Sequence, residues 1–188
     1  MILYHGTSPE NADIIMKEGF KPRGETGKSN WDHTLPSQED FIYLTIAYPF
    51  HFATAASTGS IASVIQVEVD EDDFYPDEDF IRQGCKFDNE VEIDITQYKN
   101  CGLLSMIHLG NCAVLPEAIK VIGRKDFKVS DMIYYSDPTI SLMNFKIMSE
   151  YYKELTKRWW NDEDYQNINQ SEMITKALMK GGHDVNEK

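Results

Sequence analysis

The chain has 188 residues, 41% hydrophobic and 12% aromatic, which is enough apolar surface for one compact domain with a small appendage. A net charge of −13 disfavours nonspecific binding to nucleic acid and to anionic membranes. No run approaches the roughly 18 apolar residues of a membrane span, no basic stretch leads an apolar core in the manner of a signal peptide, and the odd cysteines Cys85, Cys101 and Cys112 lack metal-ligand spacing, which fits a reducing cytoplasm. In chain order, Ile2-Leu3-Tyr4 reads as a short strand running into the polar turn His5-Gly6-Thr7. Ser8 is placed to cap a helix that Pro9 opens. His5 therefore falls at a strand end beside free helix N–H groups, where a polar or anionic ligand is well held. Gly6 lets a ligand approach the backbone, and Thr7 adds a hydroxyl. The same residues also read as a plain strand-to-helix turn.

The spacing predicts a helix over 9–18, with Ala12, Ile15 and Met16 on one face and Gly19 as its C-cap. Residues 21–40 carry no period and read as a functional loop containing Trp31 and His33. Phe41–Thr45 is the second strand, with Tyr43 on the face opposite Ile42 and Leu44. Pro49 opens a helix in which Phe50, His51 and Phe52 read as packing residues, and 61–69 is the clearest strand. The acidic stretch 70–80 reads as a solvated turn that ends in a helix start at Pro76-Asp77-Glu78-Asp79-Phe80. Its spacing matches no Ca²⁺ loop, and no metal is expected.

Further on, Val91, Ile93 and Ile95 alternate as in a strand. Residues 98–108 suit a short helix with Leu104 and Ile107 or His108 inward, 112–115 and 118–122 suit strands, and 126–135 has no clear assignment. Asp137 and Pro138 open a long helix with Ile140, Met143, Ile147, Tyr151 and Leu155 at helical spacing, ending near Trp159-Trp160-Asn161. Lys153, Lys157 and Arg158 beside the tryptophans suit either the helix C-terminus or a nucleic-acid strand. Residues 181–188 read as a frayed tail. The expected division is a core of residues 1–135 and a helical extension of residues 136–188 packed on it.

Taken together, Tyr4-His5-Gly6-Thr7 before a helix closed by Gly19-Phe20, then Phe41-Ile42-Tyr43-Leu44-Thr45, a helix, a long apolar strand and a late Val114-Leu115-Pro116-Glu117-Ala118-Ile119-Lys120-Val121-Ile122 resemble an ADP-ribosyltransferase over residues 1 to about 126. The branch resembled is the His-Tyr-Glu one of poly-ADP-ribose polymerases and diphtheria-like toxins, above all its small bacterial or phage-related toxin and defence members. The resemblance implies an α+β fold, a split β-sandwich of two antiparallel-rich sheets face to face with flanking helices, and here a C-terminal helical appendage. It implies NAD⁺ as substrate and mono-ADP-ribosyl transfer to a protein, RNA or DNA, with an antitoxin or inhibitor protein as a possible partner and no membrane. NAD⁺ hydrolysis and a catalytically inactive nucleotide- or partner-binding module are the alternatives. By the same resemblance His5 hydrogen-bonds the ribose, Gly6 backbone groups hold the nicotinamide amide, Tyr43 stacks on the nicotinamide ring, and Thr7, Thr45 and Phe52 complete the NAD⁺ site. The family's third-motif glutamate falls on Asn111, which cannot act as a base. Either another carboxylate serves (Glu78 first, then Asp79 or Glu92), or the acceptor needs no protein base, or the third motif lies elsewhere in the chain.

Overall fold

Six strands, Ile2–Thr7 (β1), Ile42–Thr45 (β2), Ile61–Glu68 (β3), Tyr75–Pro76 (β4), Asn111–Val114 (β5) and Lys120–Lys128 (β6), form one antiparallel sheet of order β4-β5-β2-β1-β3-β6 in the computed structural model. The structure describes residues 1–27, 38–88, 91–131 and 145–161, together with residues 175, 178 and 179. Helices Pro9–Glu18 (α1), Arg23–Thr26 (α2), Pro49–Ala56 (α3), Glu78–Cys85 (α4), Gly102–Leu109 (α5) and Phe145–Asn161 (α6) flank the sheet.

Strand alternation sorts the core. Leu3, Ile65 and Val67 share one face with Ile42, Leu44, Cys112 and Val114, under Ala12 of α1. Tyr4, Ala62 and Val64 lie on the other face with Phe50 of α3 and Trp159 of α6. Each Leu, Ile, Val or Phe among them contributes roughly 1.5–3 kcal/mol by leaving water. The expected capping holds at α1, where the Ser8 hydroxyl accepts from Asn11 N and Gly19 closes the helix at φ 80°. Gly6 has a packing reason of its own. A Cβ there would lie 2.1 Å from Pro49 O and 2.4 Å from Ala53 N, so the α3 backbone occupies the space a side chain would take.

The expected pair of sheets is instead one sheet with a narrow seam. β1 pairs with β3 from Ile2 to Thr7, and β2 pairs with β5 from Ile42 to Thr45, yet β1 meets β2 only at Tyr4↔Thr45. The ladder stops on both sides for identifiable reasons. Ile46 N donates to Gly110 O (2.8 Å), and Tyr43 O is taken by the His5 side chain.

Other expectations change as well. Residues 91–95 are not a strand. Asp94 accepts from Thr96 N (3.0 Å) and its hydroxyl (2.6 Å) and starts the 3-10 turn Ile95–Cys101, while Ile93 and Ile95 pack against Phe41 and Ile81. α5 buries Gly102, Ser105, Met106 and Leu109, not the predicted residues; Leu104 is 47% and Ile107 60% exposed. Its orientation is set at Gly102, where a Cβ would sit 2.2 Å from Phe74 O. Asp77 caps α4, and β6 runs past 122 to Lys128. The loop of residues 21–40 holds the one-turn α2, while Trp31 and His33 lie outside the described residues, as do Asp137, Pro138, Ile140, Met143 and the 181–188 tail. In α6, Tyr151 and Tyr152 pack with Tyr48, and Trp159 with Phe50. Trp160 lies on Tyr4, ring centroids 5.6 Å apart, and Lys125 Nζ donates to Trp159 O (2.9 Å). Trp159 is thus buried against α3 and the sheet, and Trp160 is half-buried on Tyr4.

Candidate functional site at the sheet seam

His5 sits where the β1–β2 ladder lapses. Its Nδ1 lies 3.0 Å from Tyr43 O. A carbonyl oxygen only accepts, so Nδ1 carries the proton and donates, and Nε2 keeps its lone pair. Burial lowers the imidazole pKa below its ordinary value, against the pull of the carbonyl bond, so the ring is neutral at pH 7. The edge contact with Phe20, centroids 5.1 Å apart, fixes the ring plane. The result is a neutral imidazole of set tautomer, suited to accept a hydrogen bond from a hydroxyl.

Tyr43 leaves β2 on the face it shares with Phe41 and Ala113. The imidazole and the phenol therefore meet through the Tyr43 backbone carbonyl, not ring against ring. The Tyr43 hydroxyl donates to Glu78 Oε1 (2.5 Å) and accepts from Gln38 N (3.2 Å). Gln38 Nε2 donates in turn to Ile93 O (2.8 Å), which ties the end of the 21–40 loop to the same spot. Burial first, and the Glu78 charge second, push the phenol pKa up, so Tyr43 stays protonated and remains a donor.

Glu78 opens α4, where unpaired N–H groups favour a carboxylate. The preceding Asp77 accepts from Asp79 N (2.9 Å) and caps the helix. Burial pushes the Asp77 carboxyl up to about 7, against that N–H bond, with the Asp79 and Glu78 charges adding to the rise.

Asn111 opens β5 opposite Thr45. Its Oδ1 is buried and has no hydrogen-bond partner among the described residues. Among the other expected site residues, Thr45 spends its hydroxyl on the turn into α3: it donates to Gly110 O (2.9 Å) and accepts from Ala47 N (3.1 Å) and Tyr48 N (3.0 Å). Phe52 packs against the Tyr48, Tyr151 and Tyr152 cluster beneath α6. Thr7 is buried, while Asp79 and Glu92 are exposed. The structure thus links His5, Tyr43 and Glu78 and sets Asn111 on the neighbouring strand. Thr45 and Phe52 are engaged in packing and turn formation. The sequence reading missed Gln38, Asp77 and Ser105. Ser105 had a signal, a lone hydroxyl inside Leu-Leu-Ser-Met-Ile.

Among the described residues, no group of three or more His, Cys, Asp or Glu is placed to hold a metal ion, and no helix is long and apolar enough to cross a membrane. No family model, curated protein or solved structure matches the chain.

Proposed function

We propose that the chain transfers ADP-ribose from NAD⁺ to a macromolecular acceptor at the seam between the two halves of the sheet. The observation that carries this reading is that His5 bonds the Tyr43 backbone carbonyl while the Tyr43 hydroxyl, on the other face of the sheet, bonds Glu78: three residues from three elements, in the order His-Tyr-Glu. His5 offers Nε2 to a ribose hydroxyl. In this reading the cationic nicotinamide stacks on the Tyr43 ring, a contact of about 0.5–2 kcal/mol. In the reaction the bond between nicotinamide nitrogen and ribose C1′ breaks, and nicotinamide leaves with the electron pair. The acceptor nucleophile bonds to C1′ and gives its proton to Glu78. The Glu78 charge also stabilises the oxocarbenium character that builds at C1′. Asn111 stands where the resembled family has its glutamate; its unsatisfied Oδ1 supports a role in accepting a hydrogen bond from a ligand hydroxyl or amide.

The net charge of −13 and the engagement of both α6 tryptophans in the core favour a protein acceptor over a nucleic acid. The test is incubation with ADP-ribose-labelled NAD⁺ and separate protein, RNA and DNA pools. Label on protein is the expected result. Nicotinamide release with no labelled macromolecule would mean hydrolysis, and no release at all would overturn the reading.

A further inference from the structure

We propose that Ser105 is a positioning residue that sets the Glu78 carboxylate against Tyr43, an inference that rests on the reading of Glu78 as the base of the site. The Ser105 side chain is fully buried, with 0% of the residue exposed. Inside a helix, a serine hydroxyl ordinarily bonds back to a carbonyl of the preceding turn. This one instead reaches two other elements. It accepts from Asp77 N (3.0 Å) and donates to Asn111 O (2.9 Å). One hydroxyl therefore ties the cap of α4 to the first residue of β5.

The two tied residues flank the chemistry. Asp77 holds Asp79 N through its carboxylate and is itself held by Ser105, so Glu78 has both neighbours fixed. Asn111 is the residue at the expected third-motif position. α5 is pinned for this task one turn earlier, where Gly102 lies against the Phe74 backbone on the approach to β4. Gly102 and Ser105 are three residues apart and share the buried face of α5. An alanine at 105 would fill nearly the same space but would leave a backbone N–H and a carbonyl without a partner.

The test uses the full chain labelled with ¹³C at tyrosine Cζ, with the Tyr43 signal assigned from Tyr43→Phe. Ser105→Ala and Ser105→Thr are compared with the wild type, each checked for folding by circular dichroism. In Ser105→Ala the Tyr43 signal should move toward that of an exposed tyrosine, and kcat for nicotinamide release should fall about tenfold or more, with KM for NAD⁺ little changed. Ser105→Thr keeps the hydroxyl and should keep the wild-type Tyr43 signal. A folded Ser105→Ala with an unchanged Tyr43 signal would overturn the proposal, as would a folded Ser105→Thr that loses it. If the wild type releases no nicotinamide, the reading of Glu78 as a base fails, and the Tyr43 signal alone still decides whether Ser105 positions the pair.

Discussion

In the β1-β3-β6 half of the sheet, long ladders and apolar packing hold the strands; in the β4-β5-β2 half, strands of two to four residues are held by individual side chains. The first half pairs its charges at the surface, Lys120 with Glu68 (2.6 Å) and Arg124 with Asp126 and Asp13. The second half turns its polar groups inward, through Thr45, Tyr43–Glu78, Gln38 and Ser105. Short strands bring few ladder bonds, so their places must be fixed by side chains. Side-chain bonds can be exchanged one at a time, which is what a ligand site needs. His5 stands on the border: its backbone pairs with the regular half and its ring with the other.

The comparison breaks first at Gly6. Gly6→Val would put side-chain atoms into the α3 backbone, and the expected loss of more than about 4 kcal/mol should prevent folding. A cooperative melt near the wild-type temperature would show that α3 does not sit on β1 as described. The next largest effect belongs to Tyr43. Tyr43→Phe leaves Glu78 and Gln38 N without their partner and should lose about 1–3 kcal/mol in urea unfolding. Because the ring remains, it should also turn over NAD⁺ faster than Tyr43→Ala. Wild-type stability and rate in Tyr43→Phe would remove the hydroxyl from the account.

Asp77 sharpens the contrast through pH. Its folded carboxyl titrates near 7, against an ordinary 3.8, so the folded state holds the proton to higher pH than the unfolded chain does. Its stabilising contribution is complete below about pH 4 and is lost as pH rises through 7. Asp77→Asn still caps α4 but cannot ionise. Between pH 5 and 8 its melting temperature should therefore fall less than that of the wild type; parallel curves would contradict the burial of Asp77. The smallest effect is expected at the surface of the regular half. Lys120→Ala breaks an exposed ion pair and should leave the urea midpoint almost unchanged, with the small difference vanishing at high salt.

The regular half was largely legible in the sequence. β1 and β3 read as apolar strands, Pro9 and Pro49 open α1 and α3, and Gly19 closes α1. β6 was legible only in part because Arg124 and Asp126 interrupt its apolar pattern while pairing with each other. The polar half misled in specific ways. Ile93 and Ile95 alternate like a strand, yet Asp94 bonds locally and turns the chain into a 3-10 segment. α5 shows Leu104 and Ile107 to solvent because the Gly102 contact and the two Ser105 bonds outweigh that apolar pattern. At the candidate site, the strand positions of His5 and Tyr43 were legible. The Glu78 contact depended on a tertiary approach of α4 to β2 that no local pattern encodes. The Thr45 hydroxyl is taken by the turn into α3, an engagement that a lone Thr at a strand end does not reveal.

The most direct test of the central claim is the rate of nicotinamide release at saturating NAD⁺ and acceptor, measured for the wild type and for Glu78→Gln. The wild type should release nicotinamide steadily, and Glu78→Gln, with its melting temperature retained, should release it at least about 100-fold more slowly. A folded Glu78→Gln that releases nicotinamide at the wild-type rate would contradict that claim.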